Sequence, residues 1–121
     1  MIEKNLSFIL SDFNYPIYPL VAPQDQEAPY LVYKRGNTFP TNTVKGTDRS
    51  VDNALFQIDI WTKDYLRLAE IADQIIDKII ENFGANALLK ENQDDDYYSQ
   101  PGSYHRILQF SLREKRNGGG S

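Results

Sequence analysis

The segment from Ala54 to Gly84 constrains the fold more than any other part of the chain. Phe56, Ile58 and Ile60 alternate with more polar neighbours, which is the pattern of a strand that buries one face. A helical pattern follows at once, with Asp64 at the N-cap position and a glycine at the left-handed stop. A strand that leads directly into one amphipathic helix predicts an α+β core, and this unit contains no catalytic group.

The predicted helix has two faces at 100° per residue. The apolar face is formed by Tyr65, Leu68, Ala69, Ala72, Ile75, Ile76, Ile79, Ile80 and Phe83. The polar face is formed by Arg67, Glu70, Asp73, Gln74, Asp77, Lys78 and Glu81. Its four carboxylates make an acidic stripe. Such a stripe favours a solvated helix face, because acid–base catalysis by paired carboxylates needs a desolvated cleft.

Composition excludes several classes of protein. The chain has 121 residues, a net charge of −4 and no cysteine. We expect a single domain, and the charge argues against a groove-reading nucleic-acid binder. The missing thiols exclude disulfides, thiolate metal sites and cysteine nucleophiles. No apolar run approaches the roughly 20 residues of a membrane span, and the N-terminus lacks a signal peptide, so we expect assembly in the cytosol.

The rest of the chain predicts one more helix and several strands. An apolar stripe from Ile2 to Phe13 has helical spacing and ends before Pro16. Strands are predicted at 17–21, 30–35, 87–89 and 104–113, the first of them at a sheet edge because it contains Pro19. The polar segment Asn92–Gly102 is predicted to be an exposed turn. Two helices cannot separate so many strands into parallel crossovers, so we expect a mostly antiparallel sheet packed by two α-helices.

A long polar segment interrupts this pattern between Gly36 and Asn53. It is either a loop or the tip of a β-hairpin arm whose sides are Tyr30–Phe39 and Ala54–Thr62. In both cases a polar element projects from the body. We assign residues 1–114 to one domain and residues 115–121 to a flexible tail, because Gly118–Ser121 has the composition of a linker or of a segment added by cloning.

Candidate chemistry is sparse. His105 alternates with Leu108 and Phe110, so we expect a solvent-facing or interface histidine instead of a general base. The run Asp94–Asp96 lacks the alternate spacing of a calcium loop and predicts a solvated turn. Nucleotide-binding, hydrolase and zinc-protease motifs are also missing. We therefore expect no catalytic residue, no cofactor and no metal. Three tyrosines suggest an aromatic rim at a protein interface: Tyr97, Tyr98 and Tyr104.

The order of these elements resembles the tail terminator, or tail completion and head–tail joining, proteins of long-tailed bacteriophages. The similarity covers residues 2–114. The residues that carry it are, in chain order, the N-terminal helix with Ile17-Tyr18-Pro19, the strand Pro29-Tyr30-Leu31-Val32-Tyr33, the loop near Lys45-Gly46, the strand Phe56-Gln57-Ile58-Asp59-Ile60-Trp61, the helix with Leu68-Ala69-Glu70-Ile71-Ala72-Asp73, and the strand from Tyr104 to Leu112.

The resemblance implies a structural, non-enzymatic virion protein of the tail and neck. Its subunits would form a six-membered ring that caps the tail tube, ends tail polymerisation and offers a surface to the head-connector or stopper protein. DNA would pass through the lumen without specific binding, and no membrane is involved. The projecting arm would supply an interface with the next subunit or the tube, through Phe39, Lys45, Asp48 and Arg49.

An acidic lumen would repel DNA phosphates and let the genome slide. Its charge would come from Glu70, Asp73, Asp77 and Glu81, or from the Asp94–Asp96 turn. Two alternatives stay open. One is another ring protein of the neck or tail, such as a stopper or a tail tube subunit. The other is a small enzyme or non-catalytic ligand-binding domain, which would need a concave pocket with convergent polar groups.

Overall fold

The computed structural model describes residues 1–36, 51–90, 95–98 and 102–115, with the backbone alone at 51, 52 and 115. The elements in chain order are α1 (Ile2–Ser11), β1 (Ile17–Pro19), β2 (Tyr30–Arg35), β3 (Val51–Thr62), α2 (Tyr65–Phe83), β4 (Ala87–Leu89), β5 (Asp95–Tyr98) and β6 (Ser103–Lys115). A single 3-10 turn, Gly84–Asn86, joins α2 to β4.

The strands form one sheet in the order β1-β2-β3-β6-β4, and β5 also pairs with β6, beside β4 along the same edge. Only the β1–β2 pair is parallel, and the other pairs are antiparallel. Both helices pack against one face of this sheet. The structure therefore confirms the predicted α+β fold, with a mostly antiparallel sheet and two helices.

The core lies between the helices and the sheet. From β3 it takes Phe56, Ile58 and Ile60, which face Phe110, Leu108 and Arg106 of β6 in register. The predicted alternation of β6 is confirmed, because Leu108, Phe110 and Leu112 are fully buried. From α1 the core takes the stripe that the spacing predicted: Ile2, Leu6, Ile9 and Leu10, with Phe13 partly buried beside it.

Helix α2 begins and ends where the sequence predicts. Asp64 is extended, and its Oδ1 accepts a hydrogen bond of 3.0 Å from the backbone N–H of Leu66. Gly84 has a φ of 57°, and its N–H donates to the carbonyl of Ile80. Both caps satisfy backbone groups that the helix leaves unpaired at its ends.

The predicted apolar face of α2 was rotated relative to the buried face, because it left out Ile71 and included Ile80. Ile71 is 1% exposed and belongs to the core, whereas Tyr65 and Ile80 are 44% and 48% exposed. Ile71 lies three residues after Leu68 and four before Ile75, so it points at the sheet with them. Tyr65 instead reaches sideways toward β5, where its hydroxyl donates to Asp95.

The segment Asn92–Gly102 is not simply a turn, because it contains β5. Asp95 pairs in register with Arg106, and Tyr97 pairs with Tyr104. A bidentate contact between Arg106 and Asp95 and a tilted ring contact between Tyr97 and Tyr104 accompany the backbone pairing. Pairing with the next strand along the chain, β6, therefore overrides a local composition that is typical of turns.

The projecting arm falls largely outside the part of the chain that the structure describes. Its two sides are antiparallel neighbours, and their pairing reaches Arg35 opposite Phe56. Strand β3 begins at Val51, three residues before the predicted start. The distinction between a loop and a hairpin tip depends on residues 37–50, so that prediction stays a prediction.

Candidate interaction surfaces

No described helix covers the second face of the sheet, and a row of aromatic rings crosses it. This aromatic stripe consists of one ring from each of five strands: Tyr18, Tyr30, Trp61, His105 and Tyr98. Tyr30 stacks on Trp61 with ring centroids 5.7 Å apart, and Trp61 stacks on His105 at 4.1 Å. Cross-strand register explains the row, because Trp61 lies opposite both Tyr30 and His105.

His105 is buried beneath this stripe, so the solvent-facing alternative is wrong, while the interface alternative stays a prediction. Its exposed fraction is 5%, because Trp61 and Tyr98 cover the imidazole. Asp59 Oδ2 lies 3.3 Å from Nε2, and Asp96 Oδ2 lies 3.8 Å from Nδ1. Neither carboxylate is aligned for a hydrogen bond, and both buried ring nitrogens have no hydrogen-bond partner among the described residues.

The two carboxylates give this end of the uncovered face a negative charge. Their side chains are 20% exposed for Asp59 and 51% for Asp96, and their ion-pair contacts within the described ranges are with His105 alone. Asp59 also accepts a hydrogen bond of 2.8 Å from Gln57. Partial burial, together with the nearby Asp59 carboxylate, raises the pKa of the Tyr30 hydroxyl.

On the helix side, one ionic cluster ties β5 to the sheet and to α2. Arg106 donates to both carboxylate oxygens of Asp95, at 2.6 and 3.0 Å, and the Tyr65 hydroxyl donates to Asp95 at 2.7 Å. The hydrogen bond from Arg106 is the main reason that the pKa of Asp95 is lowered. The hydrogen bond to Asp95 in turn raises the pKa of Tyr65. Both charged groups of this cluster, Arg106 and Asp95, have a partner of opposite charge, so we assign the cluster a role in holding β5 in place.

The predicted acidic stripe of α2 is a real surface feature. Its members are all exposed: Glu70, Asp73, Asp77 and Glu81. Arg67 contacts Glu70 at 3.3 Å. Lys78 pairs with Asp12 at the end of α1, so Asp73 and Asp77 at the centre of the stripe have no ion pair with a described cation. The four carboxylates therefore form one acidic band on the side of α2 that faces away from the sheet.

The other predicted site residues are not in the described ranges. Phe39, Lys45, Asp48 and Arg49 belong to residues 37–50, and Asp94 belongs to residues 91–94. Of the predicted aromatic rim, Tyr98 belongs to the aromatic stripe, whereas Tyr97 and Tyr104 contact each other on the helix side. The rim therefore divides between the two faces.

An open cavity of about 300 Å³ lies between α1, the end of α2 and the end of β6. It is lined by Asn5, Phe8, Ile9, Asn82, Phe83, Asn86, Arg113 and Glu114. The carboxylate in this lining is already paired, because Glu114 contacts the N-terminal ammonium at 2.9 Å and accepts a hydrogen bond from the side chain of Asn5. In the part of the chain with described side chains, no cluster of three histidines, cysteines or acids could hold a metal.

Sequence reasoning missed the cluster formed by Tyr30, Asp59, Trp61 and His105. Trp61 and His105 are 44 positions apart, and only the strand register brings them together. The alternation of both strands was visible, and it placed both residues on the same side of the sheet. Their contact could be predicted only with the knowledge that β3 and β6 are neighbouring strands.

These features define a class of protein. The described residues form a two-layer α+β subunit whose prominent features are an acidic helix band and an uncovered aromatic sheet face. Among them no helix is both long and apolar enough to cross a membrane.

A comparison with family models assigns the chain to one family of this class. A family model described as "Tail completion protein gp17" matches residues 15–115, which is most of the chain. The chain belongs to this family of phage tail completion proteins, which is a structural family of the virion tail and not a known enzyme family. A search of individually curated proteins gives no match.

Proposed function

We propose that this protein forms a six-membered ring that caps the phage tail tube, ends its polymerisation and presents a surface to the head connector. The family match over residues 15–115 is the observation that carries the proposal. The family membership supports a structural role in tail assembly, and the ring, the cap and the named partners go beyond it. Function would then come from stoichiometric contacts, without turnover.

The architecture is compatible with a ring of identical subunits. A ring requires a heterologous interface, in which one surface of a copy contacts a different surface of the next. The two faces of this subunit differ strongly, because one carries the helices and the acidic band and the other carries the aromatic stripe. We propose that Phe39, Lys45, Asp48 and Arg49 contribute further contacts to the neighbour or the tube.

We also propose that the acidic band of α2 lines the lumen. Its four carboxylates are exposed and their side of the helix is turned away from the sheet. A negative wall repels DNA phosphates and so lowers the barrier to sliding. Reversing Asp73 and Asp77 to lysine should impair DNA passage and leave ring formation unchanged. Normal infectivity of that double variant would contradict the lumen assignment.

The ring is tested by absolute mass from light scattering across a concentration series. A discrete species with six times the subunit mass supports the ring. A monomer at every concentration leaves only assembly on the end of the tube, which is tested next by adding preformed tubes and imaging their ends.

Capping is tested separately, in a phage that lacks its own copy of the protein. Loss of length control, with tubes that continue to grow, and its restoration by this chain support a terminator. Tails of normal length that fail to join heads indicate a stopper instead. Incorporation along the whole length of the tube indicates a tube subunit.

A further inference from the structure

The uncovered face of the sheet is polarised along the strands. One end carries an acidic–aromatic patch formed by Tyr30, Asp59, Trp61, Asp96 and Tyr98 around buried His105. The opposite end carries one cation, Arg113 of β6. Arg113 shares the face of the patch, because its chain neighbour Leu112 packs on the helix side.

The acidic–aromatic patch has the chemistry of a receptor for a cationic side chain. Its two carboxylates approach opposite nitrogens of His105, at 3.3 and 3.8 Å, without hydrogen-bonding to them. Oxygen lone pairs of Asp59 and Asp96 are thus left for another donor. The rings of Trp61 and Tyr98, 5.2 Å apart, add aromatic surface beside them. A guanidinium group suits such a place, since it bonds carboxylates in a planar fork and stacks on aromatic rings.

The cation at the opposite end has no ion-pair partner among the described residues. Arg113 is exposed and makes no ion pair with a described carboxylate. Arg113 also borders the open cavity, where the acid, Glu114, is already bound to the N-terminus. Among the described residues of the cavity lining, the carboxylate is therefore not an ion-pair partner of Arg113.

The two ends cannot meet within one copy. Arg113 follows His105 by eight positions along β6, which corresponds to about 26 Å of extended strand. Both residues belong to a continuous strand in the middle of the sheet, so bending cannot close that distance. Among the described residues these complementary charges are held apart on one face, and contact between two copies brings them together.

We propose that Arg113 of one copy docks on the acidic–aromatic patch of a second copy. The contact is heterologous, because the basic end of one subunit meets the acidic end of the next, and its repetition closes a ring when the rotation is suitable. It therefore rests on the proposed function and identifies the surface through which neighbouring subunits bind. Every subunit would use its patch once and its basic end once.

Reciprocal charge reversal tests this contact. Arg113→Glu places like charges against Asp96, and Asp96→Lys places like charges against Arg113, so each variant alone should assemble at least about tenfold more weakly. The chain with both changes restores opposite charges and should recover. Mixing the two single variants should also recover assembly, because in a ring of alternating subunits the new carboxylate of one variant can face the new ammonium of the other.

Two controls isolate the contact from general charge and folding effects. Lys4→Glu changes the net charge as Arg113→Glu does, and Asp77→Lys changes it as Asp96→Lys does, yet both lie on helices away from this face. Both should assemble like the wild type in light scattering, and Lys4→Glu should also complement. Asp77 belongs to the band proposed to line the lumen, so its variant is compared by light scattering alone. Thermal unfolding of each variant shows whether it folds.

Assembly is read by light scattering and by complementation of a phage that lacks its own copy, which also reports contacts that form only on the tube. Recovery in the double variant or the mixture supports the contact. Single variants that assemble and complement like the wild type overturn it while the proposed ring stands. Folded single variants that fail, with no recovery in either combination, also overturn it. A wild-type chain that neither forms rings nor complements contradicts the proposed function itself.

Discussion

The imidazole of His105 lies flat against the indole of Trp61, with ring centroids 4.1 Å apart and planes 17° from parallel. The contact joins β3 and β6, the two longest strands of the sheet. It buries two ring nitrogens that have no hydrogen-bond partner among the described residues. The stacked imidazole therefore stabilises the fold by packing, while its two unpaired nitrogens lower the free energy of unfolding.

Replacing His105 separates these two contributions. His105→Phe keeps a stacked ring and removes the unpaired nitrogens, so we expect stability to stay constant or rise by about 1 kcal/mol. His105→Ala removes the ring as well and should destabilise by about 2–3 kcal/mol. Urea unfolding followed by Trp61 fluorescence measures both. A phenylalanine variant as unstable as the alanine variant would show that the nitrogens are satisfied in solution.

Asp95 should make the free energy of unfolding depend on pH in the acid range. Its pKa is lowered in the folded state by Arg106 and Tyr65, so its stabilisation is present above the unfolded value of about 4 and is lost as the pH falls through the folded pKa. Asp95→Asn should therefore cost about 1 kcal/mol at pH 7. The difference between the variant and the wild type should shrink as the pH falls below the unfolded pKa.

Urea unfolding at neutral pH and in acid, below the unfolded pKa of the carboxylate, measures this dependence. The control is Asp73→Asn, which alters an exposed carboxylate without a described ion pair and should change stability little at either pH. An Asp95→Asn penalty of the same size in acid and at neutrality would contradict the ionic account.

The buried face of α2 can be checked with two isoleucines nine positions apart. Ile71 is 1% exposed and Ile80 is 48% exposed, although the sequence pattern placed only Ile80 on the apolar face. Ile71→Ala should cost about 2–4 kcal/mol, and Ile80→Ala should cost less than about 1 kcal/mol. Equal losses in chemical unfolding would mean that Ile80 is covered in solution, for example by another subunit.

The cap of α2 should contribute a measurable part of stability. Asp64→Ala removes the acceptor for the Leu66 N–H and should destabilise by about 1 kcal/mol. Asp64→Ser retains an acceptor at the same position and should recover most of that loss. Thermal unfolding of the three proteins gives the comparison, and an alanine variant as stable as the wild type would exclude a role for the cap.

The sequence by itself determined the local elements, because their signals lie within a few residues of each other. The alternation of Phe56, Ile58 and Ile60 and the cap at Asp64 identified β3 and the start of α2. The proline at position 19 restricted β1 to an edge of the sheet, as observed. The element order also carried the family resemblance, which the match over residues 15–115 confirms.

Only the tertiary structure decided which distant residues share a surface. Strand β5 forms by pairing with the strand that follows it, where Asp95 lies opposite Arg106, although its own composition is typical of a turn. His105 is buried because Trp61, 44 positions earlier, lies opposite it. The energies of ion pairing, ring stacking and desolvation depend on distances in space, and those distances become defined only when the strands have paired.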